Sequence, residues 1–216
     1  MQPLVIIGAG GHGREVLDVA EAINAVSPRF EVLGVVADHA DRELLARRGA
    51  VHLGSVDALI EGSLADLPLD TVVVLAIGDP ATRKALADRL DSTVYGVAPA
   101  LVHPHATVGA DVRLGDGAVL AAGSRVTTNV TIGAHVQLNV AAVVSHDSVV
   151  GDHATLSPGV LVNGSVTIGA GAFLGTGAIV TPGRTLGPWS VVGAGAVVVH
   201  DVPGGVTATG VPARWT

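Results

Sequence analysis

The sequence predicts a small Rossmann-like α/β domain followed by a solenoid of short β-strands, and three observations carry that reading. From residue 103 to residue 198 the chain falls into sixteen six-residue units, and the sixth position of each is aliphatic, from Val108, Leu114 and Leu120 to Leu186, Val192 and Val198. Ahead of this run stand an apolar stretch (residues 4–7), then Gly8-Ala9-Gly10-Gly11-His12-Gly13, then an amphipathic helical pattern over residues 14–26. The period changes between Ala98 and His103, which divides the 216 residues into a first domain over 1–97 and a repeat domain over 98–216 that ends in a short tail.

In the first domain, Gly8, Gly10 and Gly13 have the G-x-G-x-x-G spacing, in which bare backbone lets a phosphate approach the amides at a helix N-terminus. A tight turn without a ligand has the same spacing; the strand before it and the helix after it favour the phosphate site. A second strand over 30–37 ends at Asp38, whose carboxylate is placed to reach a ribose or a base. A third unit has a strand over 71–77, Gly78-Asp79-Pro80 as its turn and a helix over 81–90. Ligands of open α/β sheets sit at the carboxyl ends of strands, so the loops at Gly10, Asp38 and Gly78 are expected to meet in one crevice. A domain of about 95 residues is half a dinucleotide fold, which favours a single nucleotide over NAD.

In the repeat domain the inward positions are two apart and then four apart, a spacing that suits a short strand followed by a corner. The fourth position is small or medium nearly throughout, as at Ala106, Ala118, Ala172 and Ala196, and leaves room for the aliphatic sixth position of a neighbouring strand. Gly, Asn and Asp are frequent at the first two positions, where tolerance of positive φ fits a bend every six residues. Three strands then close a triangular coil around a dry aliphatic interior.

Composition narrows the function. Hydrophobic residues make up 49% of the chain, yet no apolar stretch approaches the ~20 residues that span a bilayer, so no membrane is expected. A formal charge of −7 argues against nucleic acid as a partner. The absence of cysteine excludes disulfides, thiolate metal sites and a thiol nucleophile. The N-terminus lacks the pattern of a signal peptide, and a cytoplasmic location is the expectation.

The hexads resemble those of the hexapeptide-repeat acyltransferases, whose coils form a left-handed parallel β-helix, an exception to the usual crossover hand. With Val5-Ile6-Ile7-Gly8-Ala9-Gly10-Gly11-His12-Gly13 and Ala76-Ile77-Gly78-Asp79 in front, almost the whole chain is similar to the nucleotide-sugar acetyltransferases. That family includes the bacillosamine-pathway and perosamine N-acetyltransferases and sialic acid O-acetyltransferases. The resemblance implies an acetyl-CoA-dependent N-acetyltransferase acting on a nucleotide-linked amino sugar, with no metal, assembled as a homotrimer with active sites between β-helices. By matching position, Gly10, Gly11 and His12 line the phosphate site, Asp38 meets the base or ribose, and Gly78 with Arg83 forms the far wall. Asn139 orients the acceptor amine, and Thr155, Gly164 and Thr176 lie toward the acetyl-CoA.

Ser145-His146-Asp147-Ser148 resembles the family's active-site stretch, in which the histidine is the general base and the following acid supports it. Adjacent side chains of an extended strand face opposite ways, so contact between His146 and Asp147 requires a corner, which position two of the hexad supplies. An amino nitrogen attacking a thioester must lose a proton, which an imidazole accepts at neutral pH, and a carboxylate holds the productive tautomer. Gly164 lies one coil beyond His146, so its N–H is the expected donor to the oxyanion. The structural alternatives are a plain surface histidine and an aspartate that merely forms the corner. His135 and His153 are expected to stack on adjacent coils as a solvated ladder rather than to hold a metal, since no carboxylate or cysteine completes a ligand set.

Two positions depart from the pattern. The bacillosamine enzyme has a second histidine near the acetyl group where this chain has Thr155. Arg184 occupies the inward fourth position, where an unpaired guanidinium is costly. The favoured expectation is a register shift at Pro182; the other is that Arg184 reaches out to a CoA phosphate or an acidic partner. The alternatives to an N-acetyltransferase are an O-acetyltransferase using the same base on a hydroxyl, a non-catalytic sugar-nucleotide scaffold and, weakest, a dehydrogenase.

Overall fold

The computed structural model describes residues 1–64 and 67–215. Strands β1 (Gln2–Ile7), β2 (Phe30–Val36), β3 (His52–Gly54), β4 (Val72–Leu75) and β5 (Gly96–Val97) form one parallel sheet in the order β3-β2-β1-β4-β5. Leu4 to Ile7 of the central β1 are wholly buried, because both faces of the sheet are covered; that is why they read as a continuous apolar run. Helix α1 (Gly11–Val26) buries Val16, Leu17, Ala20 and Ile23. Helices α2 (Arg42–Arg47) and α3 (Val56–Ile60), with β3, complete a stretch that carries no periodic signal in the sequence. Caps define them: Asp41 accepts from the Leu44 N–H at 2.9 Å and Ser55 from the Ala58 N–H at 3.1 Å. Helix α4 (Pro80–Leu90) begins with proline behind Asp79, which accepts from the Thr82 N–H at 2.7 Å.

From Leu101–Val102 to Val197–Val198 the chain is a parallel β-helix, and a tail adds Thr207–Thr209 and an antiparallel Arg214–Trp215 to its first face. Its two-residue strands stack at intervals of eighteen residues, Gln137–Leu138 on Thr155–Leu156 and Val143–Val144 on Leu161–Val162. Three sheets of eight, six and five strands make the faces of a prism. The first face carries Gln137 and Thr155, the second Val143 and Leu161, the third Val149 and Thr167. Sixth-position side chains fill the interior from Leu120 to Val198. Burial of each such valine, leucine or isoleucine contributes about 1.5–3 kcal/mol. Val108, in the open first coil, is 41% exposed.

The corners differ from the expectation in two ways. Left-handed backbone falls at the third position of each hexad from Asp111 to Gly195, not at the first two, and is adopted there even by Ala141, Ser165 and Trp189. First-position glycines serve close approach instead: a Cβ at Gly151 would lie 2.6 Å from the Ala170 nitrogen of the next coil. The register does not shift at Pro182, since Thr185–Leu186 pairs with Thr167–Ile168 like every other rung. Arg184 turns outward instead, donating from Nε to the Pro182 carbonyl at 3.2 Å with Nη1 3.9 Å from Asp201.

The first domain docks on the first face, where α1 packs with Leu101 and Val119. Arg83 is wholly buried there. Its Nη1 donates to the carbonyls of Ile77 and Gly78, and its Nη2 to those of His153 and Ala154 and to Thr155 Oγ1. Burial pushes the guanidinium down to about 10, against the pull of Asp79. His135 and His153 stack with centroids 5.1 Å apart and planes at 11°. The docked domain leaves His135 only 8% exposed and His153 half-buried, so the stack is part of the interface and not the solvated ladder expected. Among the described residues no three His, Asp or Glu side chains cluster to hold a metal, and no helix is long and apolar enough to cross a membrane.

Burial first, then His153 and Arg83, lowers His135 to about 4. The unfolded chain takes up this proton near the ordinary value of about 6.5, whereas the native chain does so only near 4. Stability from this group is therefore full above pH 6.5 and declines as pH falls toward 4, by about 1.4 kcal/mol per pH unit. Urea unfolding midpoints at pH 7, 6 and 5 should show this decline in the wild type, and a flatter profile in His135→Asn; equal profiles would remove the imidazole as the cause. Separately, a Cβ at Gly13 would overlap the Gly8 carbonyl, so Gly13→Ala should cost roughly 1–3 kcal/mol in thermal or urea unfolding.

Candidate active site

The carboxyl ends of β1, β2 and β4 open onto a cavity of about 480 Å³ lined by Gly8 to His12, Asp38, His39, Ile77 and Gly78. The glycine turn, the Asp38 loop and the Gly78 loop thus meet in one crevice. The glycines divide into two sets. Gly8 and Gly13 are bare because a Cβ would collide with the Ala76 and Gly8 carbonyls, whereas at Gly10, Gly11 and Gly78 it would meet nothing within 4 Å. Packing does not require glycine at the latter three, and all three face the cavity. Gly10 is the N-cap of α1 and brings no side-chain acceptor, so the first amides of the helix are left for a ligand. One oxygen of Asp38 accepts from the Val56 N–H at 3.0 Å and anchors α3, and the residue lines the crevice.

Two assignments change. Arg83 is not a wall of the crevice but a strut between the domains, with both terminal nitrogens committed to backbone carbonyls and Thr155 and its Nε left without a partner. Thr155 is 1% exposed, and its hydroxyl donates to the Gly78 carbonyl at 2.8 Å, so it is enclosed in the interface rather than on an acetyl-CoA surface.

His146 stands at the apex between the second and third faces. Asp147, at φ 57°, turns back so that its Oδ2 accepts from His146 Nδ1 at 2.8 Å. The corner required for contact between sequence neighbours is this left-handed residue. Asn129, one coil earlier, donates to the other carboxylate oxygen at 3.2 Å. The bond from His146, then that from Asn129, holds the Asp147 carboxyl below its ordinary range, so it stays ionised through neutral pH. A proton on Nδ1 leaves Nε2 with a free lone pair. The ring lies over Gly164, where a Cβ would overlap it. Among the described residues the Gly164 N–H donates to no acceptor of the chain. An imidazole, an orienting carboxylate and an unpaired amide thus share one apex.

Asn139 and the exposed Thr176 lie elsewhere, at the corner between the first and second faces, so one chain does not bring them to His146. The crevice is remote as well, because it belongs to the domain docked on the first face, opposite that apex.

Residues 3–90 match the PglD N-terminal domain. No curated protein matches the chain. Among solved structures, PerB from Caulobacter crescentus in complex with CoA and GDP-perosamine is 35% identical, with a TM-score of 0.84 over 99% of this chain and 97% of that one. The acetyltransferase domain of PglB from Neisseria gonorrhoeae, in complex with acetyl coenzyme A, is 30% identical with a TM-score of 0.87 over 100% and 99%. WeeI from Acinetobacter baumannii is 27% identical with a TM-score of 0.82 over 100% of both chains. The chain belongs to the hexapeptide-repeat acetyltransferases.

One residue of this acetyltransferase that sequence reasoning passed over is Gln137, which bonds to His12 and to Leu75 across the domain interface. Its signal was a long amide on an outward row that is apolar at Val119 and again at Phe173, with only Thr155 beside it in between. For the apex, Gly164→Ala should unseat the imidazole and lower acetyl transfer about 100-fold with the thermal midpoint little changed; undiminished turnover would show that the ring does not act from this pose.

Proposed function

We propose that the chain transfers the acetyl group of acetyl-CoA to the amino group of a nucleotide-linked sugar. The observation that carries this is the apex: His146, oriented by Asp147, directs a free Nε2 beside the unpaired Gly164 N–H. The acceptor nitrogen attacks the thioester carbonyl while His146 Nε2 takes its proton. The Gly164 N–H stabilises the oxyanion, and collapse forms the amide and expels the CoA thiolate, which receives the proton from His146. Without a thiol the acetyl group passes directly to the acceptor or through a hydroxyl, and the family likeness favours direct transfer. The crevice takes the nucleotide, with its diphosphate at Gly10, Gly11 and His12 and its ribose or base at Asp38. GDP-perosamine in the crystal structure of PerB supports this class of acceptor.

Because the crevice and His146 lie on opposite sides of one prism, the working site takes its base from a second copy, and a homotrimer closes three such sites. The outward row of the second face supports this assembly: Val143, Leu161, Ile179 and Val197 form an aliphatic stripe, with Leu161 42% exposed. A second copy that sets its His146 apex against the corner bearing Asn139 and Thr176 brings base and acceptor together. The site then works in the cytoplasm on soluble substrates.

Thiol release from acetyl-CoA should be measured with UDP-, dTDP- and GDP-linked amino sugars. One of them is expected to turn over, and His146→Ala should lower the rate about 10²–10⁴-fold while nucleotide binding is kept. Turnover of a hydroxyl acceptor with no amine accepted would overturn the N-acetyl assignment. Co-expression of His146→Ala with a crevice-blocking Gly10→Leu chain tests the shared site. Random mixing should restore about a quarter of wild-type activity, whereas a site contained in one chain would stay inactive.

A further inference from the structure

Gln137 and Thr155 stand on adjacent coils of the first face, paired in register. Both side chains point out of the prism, yet they are 0% and 1% exposed. Gln137 Nε2 donates to the Leu75 carbonyl at 3.1 Å, which fixes the carboxamide and leaves Oε1 facing His12 Nε2 at 3.0 Å. An amide oxygen only accepts, so the proton of His12 is on Nε2. His12 Nδ1 lies 3.2 Å from the Glu15 carboxylate, a second acceptor. Both ring nitrogens thus face oxygen acceptors, in the first turn of an uncapped helix and on the lining of the crevice. Glu15 is the exposed partner, at 61%, and an anionic ligand can displace it.

Thr155 does the equivalent for the opposite wall, where its Oγ1 donates to the Gly78 carbonyl and accepts from Arg83. The glycine turn and the Gly78 loop are therefore bonded to neighbouring rungs of one strand stack. We propose that Gln137, a residue of the β-helix, is a positioning residue for the nucleotide: it holds His12 with its ring turned to the diphosphate, and with Thr155 it sets the width of the crevice. The proposal rests on the nucleotide-sugar reading above. Neither residue touches the ligand; both act through groups that do.

The test is calorimetric titration of the full chain with UDP, dTDP and GDP. Gln137→Ala should weaken the nucleotide that the wild type binds about tenfold, the worth of one hydrogen bond. His12→Ala should weaken it at least as much, and the double variant no more than His12→Ala alone, because the effect of Gln137 passes through His12. Thr155→Val should weaken binding and Thr155→Ser should keep it. Gln137→Met, which preserves volume, is the second variant; failure of both Gln137 variants to fold would assign Gln137 to the fold and overturn the proposal. Wild-type affinity in Gln137→Ala, or full additivity with His12→Ala, would also overturn it. Absence of binding by the wild type would remove the nucleotide reading, and the proposal with it, before any variant is compared.

Discussion

The chain must turn a corner every six residues while its sixth side chain stays in a dry column, and the rest of the structure depends on meeting that demand. A left-handed residue at position three of each hexad makes the turn. Non-glycine residues adopt it at a cost of order 1 kcal/mol, which is smaller than the gain from each buried aliphatic. Where the corner residue is Asp147 the same backbone state has a chemical result, because it turns a carboxylate onto the preceding imidazole. Eighteen residues later, the absence of a side chain at Gly164 gives the ring its seat. The apex is thus assembled by the repeat and not by an added loop.

A second constraint lies between the domains. The first face is outwardly apolar at Val119 and Phe173 and polar between them at Gln137 and Thr155, and that polar pair meets the carboxyl end of β4. Burying Arg83 there is tolerable only because five acceptors surround its terminal nitrogens. A hydrophobic contact would tolerate sliding. This one fixes Gly78 and His12 relative to a particular rung, so the crevice has one orientation on the prism.

What was legible in the sequence follows from which forces leave a periodic trace. The aliphatic sixth positions repeat sixteen times because every coil must fill the same interior, and the glycine turn stands out because Gly8 and Gly13 are sterically obligatory. The pairing of His146 with Asp147 was readable once the corner was placed between them. Short helices α2 and α3 were not, since one turn or so of helix has no period and rests on caps at Asp41 and Ser55. Arg83 and Thr155 carried family roles at the ligand, but tertiary docking gave their polar atoms to each other and to backbone carbonyls. No local pattern marks a residue pair separated by 72 positions. Asn139 and His146 are seven apart in sequence and on different corners, a separation visible only when the faces are counted.

The stacking of rungs at eighteen-residue intervals has a consequence for how such a chain can change its length. Removing or adding eighteen residues returns every later side chain to its own face, so the prism is shortened or lengthened without being rewired. Removing six keeps the aliphatic column but moves every later residue to the next face, so that a cut between His146 and Thr155 would take Thr155 off the docking surface and Gly164 away from the imidazole. Size in this fold is quantised by the coil, and a single strand is the smallest edit that preserves the core while erasing the site.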